Sequence, residues 1–186
     1  TYTQYVYNSD DDLLYTVTGA AKQDVVTVVG LLSMMDVAQL TDTTITQYLT
    51  GPEMSLSVYA DDNVDYVWST NKDNEVSFTK YMYNDDDEML FTLSGGSQAE
   101  VLEAFNWIPA DLASINDATI DQYLIYNELN LTVFADGNVD YIWQTNDKGV
   151  VTYTKYAYSD EGALLYTLSG RTQDSVETVF GTIPAD

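Results

Sequence analysis

Internal repetition constrains this chain more than any other feature. Thr1-Tyr2-Thr3-Gln4-Tyr5-Val6-Tyr7-Asn8 returns as Ser77-Phe78-Thr79-Lys80-Tyr81-Met82-Tyr83-Asn84, and again as Thr152-Tyr153-Thr154-Lys155-Tyr156-Ala157-Tyr158-Ser159. The offsets are 76 and 75 residues, and a second block, 55–68, recurs 75 residues later at 130–143. Self-similarity over such a length marks one supersecondary unit used repeatedly, with each copy burying its apolar face against its neighbours. The 186 residues hold two and a half copies. A half repeat of hairpin plus helix spans 1–36, a first complete unit spans 37–110 and a second spans 111–186.

Within the unit, hydrophobic periodicity switches between two and 3.6. Thr79, Tyr81 and Tyr83 alternate with Phe78, Lys80 and Met82, a strand pattern. An acidic turn, Asn84-Asp85-Asp86-Asp87, leads into a second strand at 89–94. Asp and Asn favour such turns because their side chains bond nearby backbone and tolerate left-handed geometry. Ser97 and Glu100 have the spacing of a helix capping box. Val101, Ala104, Phe105 and Ile108 then form one buried helical stripe, repeated by Val176, Val179, Phe180 and Ile183. In the first copy the corresponding stripe reads Val26, Val29, Gly30 and Ser33, with Val28, Leu31 and Leu32 beside it. Pro109 and Pro184 end the second and third helices, and 117–124 is a candidate short helix. Strands at 54–60, 64–70, 76–83 and 89–94 are expected to form one antiparallel meander. Strands at 129–135, 139–145, 151–158 and 164–169 form the next. The fold class is therefore α+β: tandem repeats, each a four-stranded antiparallel meander backed by a helix.

Charge and missing residue types narrow the function. Lys+Arg number 6 against Asp+Glu 30, a net charge of −24. Such a surface repels phosphate backbones and anionic membranes, so no nucleic-acid partner is expected. No apolar run approaches the length of a membrane helix, so no membrane insertion is expected. The chain has no His and no Cys. It thus lacks the commonest general base, thiol nucleophiles and the usual zinc ligands, and it is expected to be non-catalytic.

Two constellations remain as candidate sites. Aromatic residues recur on equivalent strands: Tyr5 and Tyr7, Tyr81 and Tyr83, Tyr156 and Tyr158, and the pair Trp68 and Trp143. Exposed, they would stack on a glycan or a partner subunit; buried, they would fill the space beneath a helix. Thr1, Thr3, Ser77, Thr79, Thr152 and Thr154 share the face of the Tyr pairs, which suits a wetted or inter-subunit surface. Clustered carboxylates in turns (Asp10, Asp11 and Asp12; Asp85, Asp86 and Asp87; Asp61 and Asp62; Asp136 and Asp140) offer oxygen ligands to calcium, without the spacing of an EF-hand loop. They also serve as ordinary turn residues. Asn130-Leu131-Thr132 matches the N-glycosylation acceptor pattern.

Tandem helices on four-stranded sheets resemble, at the level of topology, the secreted β-lactamase inhibitor proteins. The resemblance covers the two complete units and implies a protein-inhibitor module as one option, although the cysteines and motifs of that family are absent. The half repeat points elsewhere. Its hairpin lacks partners ahead of it in the chain, and a two-stranded hairpin alone is marginal in water. It either extends a sheet of the same molecule or completes one on a neighbour, and a head-to-tail contact that does not close produces a filament. The sequence therefore reads as a secreted or cell-surface structural protein that assembles with itself into a filament or layer through residues 1–18 and the Tyr/Thr faces. A carbohydrate-binding or adhesive module is the alternative.

Overall fold

The computed structural model describes residues 1–183. Alternating segments become ten strands: β1 (Tyr2–Tyr7), β2 (Leu13–Gly19), β3 (Ser55–Ala60), β4 (Asn63–Thr70), β5 (Val76–Tyr83), β6 (Met89–Gly95), β7 (Asn130–Ala135), β8 (Asn138–Thr145), β9 (Val151–Tyr158) and β10 (Leu164–Gly170). They form one antiparallel sheet in sequential order from β1 to β10, so the expected meanders join rather than remaining separate sheets. Four helices accompany it: α1 (Lys22–Leu32), α2 (Asp42–Ile45), α3 (Gln98–Phe105) and α4 (Gln173–Phe180). The protein is thus α+β and mostly sheet. Pro184, expected to end the last helix, lies outside the described residues.

Two compact units divide the chain: Thr1–Tyr81 with Gly95–Ala99, and Met82–Ser94 with the described chain from Glu100 onward. They group residues in space, whereas the boundaries expected at 36 and 110 follow the repeat along the sequence.

In the first unit, β2 pairs on one side with β1 (Tyr5 opposite Thr16) and on the other with β3 (Tyr15 opposite Val58, Val17 opposite Leu56). The leading hairpin is therefore partnered within its own molecule. An antiparallel meander completes each hairpin with the strand that follows it in the chain, here β3 beside β2. α1 lies over β1 and β2, and the buried side chains of this unit include Tyr15, Val17, Leu56, Trp68 and Phe78. The buried stripe of α1 is Val25, Val28, Val29 and Leu32, one residue out of phase with the expected stripe, and Val26 is 41% exposed. Residues 37–54 contribute Leu40, Ile45, Leu49 and Met54, each buried.

The second unit follows the same logic. β7 lies between β6 (Leu93 opposite Leu131) and β8 (Leu131 opposite Trp143). Its core joins Leu93, Val101, Ala104, Leu131, Trp143 and Tyr153, all fully buried. The expected second helix at 117–124 is only a 3₁₀ turn at Ile120–Gln122. Asp117 instead reaches the N-terminus of α4, its carboxylate accepting from the backbone N–H of Gln173 (2.6 Å) and Asp174 (3.1 Å). In the first unit Asp42 accepts from the Gln98 N–H (2.7 Å) and the Ser97 hydroxyl (3.0 Å). A carboxylate at each N-terminus satisfies orphan amides and complements the helix dipole. Capping thus comes from more than 50 positions upstream, which a local motif such as Ser97/Glu100 cannot reveal.

Candidate functional site

β-Bulges decide where several candidate acids point. In β4, Val64 pairs with Tyr59 and Tyr66 with Val58, leaving Asp65 as the extra residue. In β8, Val139 pairs with Phe134 and Tyr141 with Val133, leaving Asp140 extra. An extra residue re-aims its side chain. Asp65 thereby meets Lys80, and Asp140 meets Lys155 at 2.6 Å, with the Lys155 ammonium also 5.5 Å from the Tyr141 ring centre. Asp140 is therefore held in an ion pair with Lys155. Burial, followed by the charge of the adjacent Asp, pushes Tyr66 and Tyr141 up to about 12. Tyr153 is also raised, first by burial and then by donating its hydroxyl to Glu177 at 2.6 Å.

The remaining acids are explained by turn geometry. Asn8 Oδ1 accepts from the N–H groups of Asp10 (2.8 Å) and Asp12 (2.9 Å), and Asn84 Oδ1 from Asp86 (3.0 Å) and Glu88 (2.8 Å). In these turns Asp11 and Asp87 take left-handed φ values of 67° and 61°. Asp61 (φ 49°) and Asp62 (φ 67°) form the two-residue loop between β3 and β4, as Asp136 (φ 50°) and Gly137 (φ 76°) do between β7 and β8. Two successive positive φ values are the signature of a type I′ hairpin. Asp85, Asp86 and Asp87 are exposed. Among the described residues, no group of three acidic side chains is placed to hold a metal ion.

The aromatic candidates separate by burial. Trp68 and Trp143 are both 0% exposed, packed against Phe78 (ring centres 4.8 Å) and Tyr153 (4.7 Å). This corrects their reading as surface stackers: the strand period turns them to the helix-covered face. Tyr81, Tyr83, Tyr156 and Tyr158 are half-buried, whereas Tyr5 (56%) and Tyr7 (54%) are open. In the first unit their face carries hydroxyls bonded across strands, Thr3 to Thr18 at 2.9 Å and Ser69 to Ser77 at 2.8 Å. In the second, Thr154 bonds Ser169 at 2.8 Å. Asn130 opens β7, half-buried between β6 and β8, and its Oδ1 accepts from Thr132 at 3.1 Å. That takes it out of the surface-loop context of a glycosylation acceptor.

Exposed large apolar side chains are unevenly distributed. Of fourteen exposed large apolar side chains among the described residues, ten lie in 1–36 or 164–183, under a third of the chain. On β10 and α4 these are Leu164 (54%), Leu165 (44%) and Val179 (48%), with Ile183 (36%) just beyond the helix. Leu168, at the repeat position of the fully buried Val17 and Leu93, is only half-buried. The difference is cover. β2 has β3 beside it and β6 has β7, whereas β10 ends the strand order.

Among the described residues, no helix is long and apolar enough to cross a membrane. No protein-family profile matches the sequence, and no curated protein matches it.

Proposed function

We propose that this is a non-catalytic structural protein, built from tandem repeats of about 75 residues, that assembles head-to-tail with copies of itself at the cell surface or after secretion. One observation carries the reading: the exposed apolar side chains gather on the first and last hairpin–helix pieces, at the two unpaired edges of the strand order. An open edge is a template for another strand, and native edges are usually protected by charge or proline. β1 and β10 contain neither a charged residue nor a proline. The scarcity of catalytic residue types in the sequence agrees with a structural role.

A net charge of −24 opposes association until salt screens it. The test is sedimentation velocity across protein concentration at low salt and at about 1 M, where the screening length is roughly 3 Å. Mass should grow with concentration, more so at high salt, and Leu165→Glu should suppress the growth. A wild-type chain that stays monomeric at high concentration and high salt overturns the proposal.

A second reading rests on Tyr5 and Tyr7, whose rings are more than half exposed and could stack on sugars. Glycan-array binding lost in Tyr5→Ala and Tyr7→Ala variants would favour that adhesive role.

A further inference from the structure

We propose that Lys155 and Asp140 are a self-modification site, where the ion pair condenses to an intramolecular amide that links β9 to β8. Asp140, Lys155 and Glu177 all belong to the second unit, so the site is complete within it. The bond does not depend on self-assembly and stands or falls apart from it.

The fold brings a nucleophile, an electrophile and a base together. The bulge in β8 leaves Asp140 as the extra residue, and Lys155 stands on β9 opposite Tyr141. Lys155 Nζ consequently meets Asp140 Oδ1 at 2.6 Å. Water has little access to the amine: its side chain is 18% exposed, that of Asp140 32%, and the Tyr141 ring centre lies 5.5 Å from Nζ. On α4, Glu177 Oε1 lies 4.0 Å from Nζ, and the Tyr153 hydroxyl holds that same oxygen by donating to it at 2.6 Å. An ordinary surface ion pair contributes little and has no need of a second, positioned carboxylate. The first unit repeats the ion pair as Asp65 with Lys80. The repeat positions of Tyr153 and Glu177, however, are Phe78 and Leu102, so that particular base and its holder belong to the later repeat alone.

The step balances without a co-reactant. Proton transfer across the 2.6 Å contact turns ammonium and carboxylate into amine and carboxylic acid, an exchange that poor solvation of charge favours. The Nζ lone pair then attacks the Asp140 carboxyl carbon. Glu177 takes a second proton from the nitrogen and returns it to the departing hydroxyl. A C–N bond forms, a C–O bond breaks and one water leaves. One positive and one negative charge vanish together, so the net charge is unchanged. Holding the two groups in contact replaces a bimolecular encounter, which is where most of the acceleration arises. The product constrains the unfolded chain as a disulfide would, in a protein with no cysteine to form one.

Denaturing mass spectrometry of the intact protein, kept at neutral pH until its mass is constant, reads the bond directly. The wild type and Lys80→Arg should each weigh one water less than their sequences. Lys155→Arg should have its full mass, and so should Glu177→Gln while its circular dichroism remains native. Trypsin cuts after Lys148, between the two residues, so the flanking peptides should stay joined in the wild type and separate in Lys155→Arg. A wild type at full sequence mass overturns the proposal, even where a variant fails to fold. Loss of water that persists in Lys155→Arg, or that Lys80→Arg abolishes, places the reaction elsewhere and also overturns it. A Glu177→Gln chain that still loses water overturns the assignment of Glu177 as the base.

Discussion

Replacing Thr70 with Val tests how the fold fastens β4 to the loop before β3. Thr70 is 6% exposed. Its hydroxyl donates to the Gly51 carbonyl at 2.7 Å and accepts from the Met54 N–H at 2.9 Å. Valine keeps the shape and deletes both bonds. The Met54 N–H is left without a partner beside a residue only 2% exposed, which costs about 1–3 kcal/mol. Gly51 is half-exposed, so its carbonyl can turn to water at smaller cost. The sum is about 2–3 kcal/mol, a large share of the roughly 5–15 kcal/mol that holds a typical domain together. For a chain of this length it corresponds to a fall in Tm of about 4–12 °C. Thr70→Ser keeps the hydroxyl and loses one methyl, near 0.8 kcal/mol. Urea unfolding followed by tryptophan fluorescence measures all three proteins. A Val variant as stable as wild type, or more stable than the Ser variant, would refute the bridging role. In the second unit, Thr145→Val should behave alike, because its hydroxyl donates to the Tyr126 carbonyl at 2.8 Å and accepts from the Leu129 N–H at 2.9 Å.

Further outcomes follow from the same structure. Trp143→Ala should cost about 3–5 kcal/mol by opening a core cavity, measured by calorimetry, and a near-neutral result would contradict its burial. Asp140→Ala should destabilise more than the Asp140→Ala/Lys155→Met pair, since removing Asp140 leaves a largely buried ammonium with only Glu177, 4.0 Å away, while removing both does not; equal melting temperatures would disprove this. Gly137→Ala should lose about 1 kcal/mol from its positive φ although nothing crowds the added Cβ, whereas Asp62→Gly should gain a few tenths at the matching hairpin position. Above pH 10 the stability should fall. Tyr66 and Tyr141 are raised to about 12 in the fold from an ordinary value near 10. The folded chain therefore binds those protons more tightly; their contribution is complete below pH 10 and fades through pH 12. Melting curves from pH 8 to 12 would test it, and an unchanged Tm across that range would exclude it.

Local features were legible because their causes are local. The ten strands follow from alternating side chains, and the turns at Asn8, Asn84 and Asp136 from residues that bond adjacent amides or accept positive φ. Long-range consequences were not. Whether Trp68 and Trp143 faced a helix or solvent depended on which side of the sheet the helices cover, a choice that period-two alternation leaves open. Asp140 read as a turn acid because a bulge leaves no mark in composition. Likewise, Asp42 and Asp117 cap helices more than 50 residues downstream, beyond any motif window.

By itself, then, the sequence determined the class of fold, the strand boundaries to within a residue or two, and the absence of His and Cys. All of these depend on side-chain identity and spacing along the backbone. Only the tertiary structure decided that the leading hairpin is completed by its own β3 and that Leu164, Leu165 and Val179 on β10 and α4 stand exposed. Exposure depends on which strand lies beside which, and that is settled by pairing in space.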